Sequence, residues 1–131
     1  MATVPTRLFV YGTLRKGGSA PLAERLAQEA RWLGRAAARG ALYRIDGYPG
    51  FVPDANGGPV TGDLFEIDPD GALLAALDDY EECAPPWPEP HEYRRMVIEV
   101  ETEHGRSAAW TYVYAWPVEG RERIAGGDFL G

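Results

Sequence analysis

From Tyr93 to Trp116 the chain alternates with a period of two on either side of one short polar break. Met96, Ile98 and Val100 face one way and Val97, Glu99 and Glu101 the other, while Trp110, Tyr112 and Tyr114 share a face of the second run. Glu103-His104-Gly105-Arg106 supplies the turn. Two strands joined so tightly pair antiparallel, and a lone hairpin is marginal in water, so the remaining chain must add strands or a helical layer.

It has the material for both. Arg7-Leu8-Phe9-Val10-Tyr11 is dense in β-formers and stops at Gly12, after which come Thr13, Leu14 and the cations Arg15 and Lys16 before Gly17-Gly18 break the chain again. That pattern predicts a buried strand ending in an anion-friendly loop. Ala20 to Gln28, with Leu22 and Leu26 four apart, predicts a short helix. Trp32 opens a new element, and Ala36 to Ile45 reads as one strand or two bent ones. Asp46 to Asp54 is thick with turn residues around Tyr48 and Phe51 and reads as a loop able to wall a pocket. Pro59 to Ile67 alternates as a strand in which Gly62 marks a bulge or a close backbone approach. Asp68 as N-cap and Pro69 at the first position then start a helix running to about Glu82. Cys83 to His91, crowded with prolines, is neither helix nor central strand. The sum, six or seven strands with two short helices and no repeats, fits one α+β domain over residues 1–131, on a curled, mostly antiparallel or mixed sheet.

A chain of 131 residues buries roughly two thirds of its unfolded surface and needs no staples. Its single cysteine, Cys83, forms no internal disulfide and points to a reducing compartment. Met1 to Arg7 lacks a basic segment followed by an apolar run, and no stretch of about eighteen apolar residues occurs anywhere, so a cytoplasmic protein with no membrane partner is expected. The charge of −7, from 20 carboxylates against 13 cations, argues against nucleic acid and anionic lipid. Lys16 is the only lysine, and the Arg, Ala, Gly and Pro usage points to a GC-rich bacterial genome, which bears on no function.

One side chain stands out. At steps of about 100° per residue Leu73, Leu77 and Tyr80 fall within an arc of about 60° with Leu74 beyond it, and Glu81 is the only carboxylate on the apolar side that these four residues span. Asp78 lies at the margin, whereas Asp79 and Glu82 project away. Burial, the negative end of the helix dipole and three neighbouring acids all disfavour an ionised Glu81, and a carboxyl with its pKa raised toward neutrality suits acid and base work in one cycle. The plainer alternative is that Glu81 caps the edge of the core and pairs with Arg94 or Arg95.

Tyr11-Gly12-Thr13-Leu14 after a strand, Leu77-Asp78-Asp79-Tyr80-Glu81, and Tyr93-Arg94-Arg95, in that order, resemble the motifs of the γ-glutamylcyclotransferase-like family, whose small members include γ-glutamylamine cyclotransferases. The resemblance extends to the Tyr112-Val113-Tyr114 strand. It implies a small mixed fold around a strongly twisted, barrel-like sheet with short helices, no metal and no cofactor. The implied reaction cyclises the glutamyl group of a small γ-glutamyl amine or amide to 5-oxoproline and releases the amine. In this resemblance Glu81 is the catalytic glutamate. Tyr11, Gly12, Thr13 and Leu14 form the loop that holds the glutamyl head, and Arg95 is the arginine of the Tyr-x-Arg element. Among the aromatics, Tyr114 is the first choice to line the site for the leaving amine. The sequence departs from the pattern at Glu82, where relatives usually carry glycine, and in the long Pro-rich insertion Cys83 to Glu92, so the substrate entrance should differ.

The chemistry suits these residue types. The substrate's own α-amine closes a five-membered ring on the γ-carbonyl, so positioning supplies much of the rate and no enzyme nucleophile is required. One carboxylate moves the proton, and backbone amides at Gly12 to Leu14 bind either the α-carboxylate or the developing oxyanion. There is no Gly-x-x-x-x-Gly-Lys or Gly-x-Gly-x-x-Gly to favour a nucleotide. Cys83 has no helix N-terminus to activate it, and His91 and His104 read as loop residues rather than metal ligands. The competing reading is a non-catalytic binder of small amine-bearing metabolites with the same fold, monomeric or homodimeric like the enzyme. The enzyme reading requires the amides after the first strand and the Glu81 carboxylate to share one cavity.

Overall fold

In the computed structural model, residues 5–12, 14, 21–45, 47–68, 70–82 and 87–129 are described. Strand β1 (Arg7–Val10) is followed by helix α1 (Pro21–Glu29), β2 (Arg31–Arg44), β3 (Pro49–Pro53), β4 (Gly58–Glu66), α2 (Ala72–Tyr80), the hairpin β5 (Tyr93–Thr102) and β6 (Gly105–Tyr114), and the short β7 (Glu122–Arg123). The strands form one sheet in the order β3-β2-β4-β1-β6-β5. It curls until β5 meets β2 at Glu101 and Ala37, closing a five-stranded ring of β2, β4, β1, β6 and β5. β1 runs parallel to β6 and the other pairings are antiparallel, so the sheet is mixed and barrel-like, with two short helices among the described residues.

Alternation along β1 explains the layering. Leu8 and Val10 enter one apolar cluster with Leu26 of α1 and Leu73, Leu74 and Leu77 of α2. Phe9 and Tyr11 enter a second, built from every strand of the ring: Ala36, Ala38, Val60, Leu64, Val100, Ala109 and Val113, together with Phe51 of β3. The second cluster fills the barrel, where alanines opposite Phe9 and Phe51 fit a narrow interior; the first lies between the barrel wall and the helices. A strand buried on both faces shows a continuous apolar run, as Leu8-Phe9-Val10 does.

Several elements depart from the sequence expectations, each for a physical reason. β2 is a single 14-residue strand, and its irregularity falls between Trp32 and Gly34 rather than at Gly62. Gly62 is a close approach: a Cβ there would run into the Val10 carbonyl and the Phe9 ring. The expected loop at 46–54 contains β3, paired with β2 from Gly40 to Arg44. Its prolines are its first and last residues, positions an edge strand tolerates because no ladder hydrogen bond is lost. Helix α2 begins at Ala72 with Gly71 as N-cap. Asp68 instead closes a turn just before it, its carboxylate accepting the Asp70 N–H and its carbonyl the Gly71 N–H; Pro69 lies outside the described residues. The hairpin forms as expected, but its turn is tighter than the four residues Glu103 to Arg106: Gly105 and Arg106 already pair with Thr102 and Glu101, and Tyr93 stands opposite Tyr114, where β6 ends. No helix among the described residues is long and apolar enough to cross a membrane.

Candidate active site

A cavity of about 320 Å³ opens where β1 ends, between the barrel mouth and the last turn of α2. Tyr11, Gly12 and Leu14 line it from one side and Tyr80, Glu81 and Glu82 from the other; Tyr48, Pro49, Glu92, Tyr93 and Tyr112 are also among the described lining residues. The loop after β1 and the end of α2 therefore share one cavity. Thr13, Arg15, Lys16 and Cys83 lie outside the described residues.

Tyr11 is fixed by the barrel. Its hydroxyl donates to the Tyr112 carbonyl and accepts the Phe51 N–H at 3.3 Å, joining β1 to β6 and β3. Burial, then the nearby Glu81 carboxyl, raises its pKa well above that of free tyrosine, so it stays protonated. Tyr93 is raised too, chiefly by burial, and its hydroxyl donates to the Pro49 carbonyl at 2.6 Å. Gly12 is packed so closely on Pro49 that a Cβ would sit 2.6 Å from the proline Cγ. The bare backbone there is what keeps the floor of the cavity open to a ligand.

Glu81 is the helix C-cap, its N–H bonded to the Leu77 carbonyl at 2.9 Å. Leu73, Leu74 and Leu77 are buried, as the apolar arc requires, but Tyr80 is 41% exposed and stands at the cavity mouth. The last turn of α2 overhangs the cavity, so side chains that would otherwise meet the sheet meet open space. Among the described residues the Glu81 carboxyl has no hydrogen-bond or ion-pair partner. Arg95, one of the expected partners, bonds Asp78 instead, and Arg94 is exposed. Burial pushes the Glu81 carboxyl up to about 7, with Glu92 and then Glu82 adding repulsion. A carboxyl poised at that value exchanges a proton readily in either direction near neutrality.

Two other expected site residues sit behind the cavity. The Arg95 guanidinium makes a fork with Asp78 at 2.8 and 3.2 Å and stacks over Trp110, 4.4 Å from the ring centre. The Tyr112 hydroxyl also donates to Asp78, at 2.8 Å. This network ties the last turn of α2 to the hairpin, one turn before Glu81. Tyr114 packs edge-on against Tyr93, with ring centres 5.5 Å apart, and lies against Gly50; it buttresses a wall residue without lining the cavity. Among the described residues no cluster has the donors for a metal ion.

Sequence reasoning assigns no role to Glu92 or Tyr93. Glu92 precedes β5 directly and accepts the Tyr48 hydroxyl at 2.7 Å. Nothing local marks it, because its meeting with Tyr48 spans 44 positions. The helical angle of Glu82 places it in solvent. It is exposed yet borders the cavity, because the chain turns there with φ at +57°, the left-handed conformation that glycine usually supplies after a helix. Glu82→Gly is expected to raise stability by about 1 kcal/mol, a Tm increase of about 2–5 °C in thermal melts. An unchanged or lower Tm would show that the carboxylate offsets the backbone strain.

The sequence model for the family described as "Gamma-glutamyl cyclotransferase, AIG2-like" matches residues 8–131. The chain is 36% identical over 132 residues to the γ-glutamylcyclotransferase family protein YtfP of Escherichia coli (strain K12), covering 95% of this chain and 96% of that one. The solution structure of that E. coli protein superposes with a TM-score of 0.65. A second relative, the γ-L-glutamyl-butirosin B γ-glutamyl cyclotransferase of Niallia circulans, is 33% identical over 109 residues, 82% of this chain and 65% of its own. The crystal structure of YkqA from Bacillus subtilis matches with a TM-score of 0.72 and 26% identity over 96% of this chain, which spans 40% of YkqA's length.

Proposed function

The chain belongs to the γ-glutamyl cyclotransferase, AIG2-like family, and on that premise we propose that it cyclises the glutamyl group of a small γ-glutamyl amine or amide to 5-oxoproline and releases the amine. The observation that carries this reading is the shared cavity. Glu81, unpartnered among the described residues and raised to about 7, faces the loop backbone at Gly12 and Leu14 within one space of about 320 Å³.

The substrate's α-amine attacks its own γ-carbonyl carbon. A carbon–nitrogen bond forms to close the five-membered lactam, the bond from that carbon to the leaving nitrogen breaks, and no water is consumed. The proton shed by the attacking amine passes to Glu81 and from there to the departing nitrogen, so the carboxylate ends as it began. Folding the glutamyl chain back on itself is the enzyme's other task, and the close walls formed by Tyr11, Pro49 and Tyr93 suit it. Arg95 and Tyr114 act in this scheme as positioning residues, through Asp78 and Tyr93 respectively.

Incubation with a panel of γ-glutamyl amides, assayed for 5-oxoproline, tests the proposal directly. Turnover of at least one member is expected, with kcat/KM rising through pH 7 as Glu81 loses its proton. A flat response across the panel, with the amides nonetheless binding, would favour the competing reading of a small-metabolite binder. A rising limb confined to the ordinary carboxylate range would instead show that the Glu81 carboxyl is better solvated than its place in the cavity indicates.

A further inference from the structure

One wall of the cavity is supplied by no single element. Tyr48 lies in the turn between β2 and β3, Glu92 stands just before β5, and the Tyr48 hydroxyl donates to the Glu92 carboxylate at 2.7 Å. Both line the cavity. Neither belongs to a strand, so the ladders that fix β1 and β6 do not fix them.

The chain beyond β6 holds them from outside. The Ala115 N–H donates to the Glu92 carbonyl at 2.7 Å and the Trp116 indole Nε1 to the Pro90 carbonyl at 3.1 Å, so two consecutive residues grip the segment that leads into β5. Further on, the Arg121 guanidinium donates to the Ile45 carbonyl at 2.9 Å, and the Ile45 N–H to the Tyr48 carbonyl at 2.9 Å, which closes the turn carrying Tyr48. Between the two grips Val118 packs on the apolar cluster that contains Tyr93 and supports Tyr48, and its carbonyl accepts the Arg121 N–H at 2.9 Å. Past Arg121, β7 pairs with β2 and the Ile124 N–H donates to the Leu42 carbonyl at 2.7 Å. The segment is thus anchored by β6 at one end and β7 at the other, and it spans both halves of the wall.

We propose that residues 115–121 form a clamp that positions the Tyr48–Glu92 wall of the cavity, with Trp116 and Arg121 as positioning residues that stand outside the cavity themselves. Its effect on turnover rests on the cyclotransferase reading above. Trp116 and Arg121 are exposed, and one hydrogen bond at the surface contributes little to global stability. A wall displaced by about 1 Å, by contrast, slows a reaction that depends on folding its substrate by as much as about a hundredfold.

The wall also sets the surroundings of Glu81. Sharing the cavity with that carboxyl are the phenols of Tyr11, Tyr48, Tyr80, Tyr93 and Tyr112 and the carboxylates of Glu82 and Glu92, with no lysine, arginine or histidine among the described lining residues. Glu92 repels the Glu81 charge more than Glu82 does. A wall that swings out takes Glu92 away and admits water, and both changes return Glu81 toward the ordinary carboxyl range.

The test makes two readings on Arg121→Ala, Arg121→Lys and Trp116→Phe: a carbon-13 NMR titration of the Glu81 carboxyl, identified by its loss in Glu81→Gln, and the kinetics of 5-oxoproline release from the γ-glutamyl amide that the wild type turns over best. In Arg121→Ala the Glu81 midpoint should fall from about 7 by about half a unit or more. Its kcat/KM should fall about tenfold, while Tm drops by no more than about 3 °C. Trp116→Phe keeps a ring but removes the donor, and should move both readings the same way. Arg121→Lys keeps a donor for the Ile45 carbonyl and should recover most of the wild-type values. A midpoint unmoved in both Arg121→Ala and Trp116→Phe, or changes that track a large loss of Tm and are not recovered by lysine, overturn the clamp while leaving the cyclotransferase reading standing. A wild type that yields no 5-oxoproline removes that reading, and the titration still decides the clamp: a lowered midpoint supports it and an unmoved one overturns it.

Discussion

Glu81→Gln is expected to leave a folded protein whose release of 5-oxoproline from γ-glutamyl amides has dropped by about 10²- to 10⁴-fold, the usual worth of a positioned acid–base group. Glutamine keeps the size and polarity of the side chain and removes only the exchangeable proton. The same variant carries a second signature. Because the folded protein holds the Glu81 proton up to about pH 7 whereas the unfolded chain releases it in the ordinary carboxyl range, the wild type loses stability as pH rises through that window, by up to about 3 kcal/mol. The glutamine variant has no such proton to lose, so it should match the wild type near pH 4 and exceed it at pH 8 in thermal melts. Retained turnover by the folded variant would sink the assignment. Parallel pH–stability curves would show that the carboxyl is better solvated than its place in the cavity indicates.

The second large effect lies one helical turn earlier. Asp78→Ala removes the acceptor shared by the Arg95 fork and the Tyr112 hydroxyl, leaving a half-buried guanidinium over Trp110 without its anion. The expected cost is about 2–4 kcal/mol, a Tm lowered by about 10 °C, together with a clear fall in kcat, because the turn that carries Glu81 loses its tether to the hairpin. A double-mutant cycle of Asp78→Asn with Arg95→Gln should show coupling of about 1–3 kcal/mol. If Arg95 held substrate instead, its replacement would raise KM at unchanged Tm, and the coupling would vanish.

Much of this is legible in the sequence because it is written locally. The hairpin shows in its period-two alternation, and the buried β1 shows in Leu8-Phe9-Val10. Glu81 is marked by its angle on the helix relative to Leu73 and Leu77. What is illegible depends on groups far apart in the chain. Arg95 matches a family motif, but only the fold shows that it is bonded to Asp78 and does not line the cavity. Glu92 acquires a role only through Tyr48. Glu82, which an ideal helix would point into solvent, reaches the cavity rim because the helix has already ended there and the backbone has turned. β3 is hidden by its terminal prolines, whose cost disappears once the strand is seen to lie on an edge.

β1 also sets the order in which the molecule can assemble. It is the first of the described strands to be synthesised, and of its two neighbours β4 follows in mid-chain but β6 only near the end: its carbonyl at Phe9 waits for the Thr111 hydroxyl, 102 positions later, and the Tyr11 hydroxyl waits for the Tyr112 carbonyl. Contacts of such long range are formed late and slow the folding of a small domain. On a ribosome the Gly12 loop would emerge early and remain without its Tyr112 wall until β6 follows it out. The cavity is therefore complete only when the barrel closes, and no N-terminal piece that stops short of β6 has a competent site.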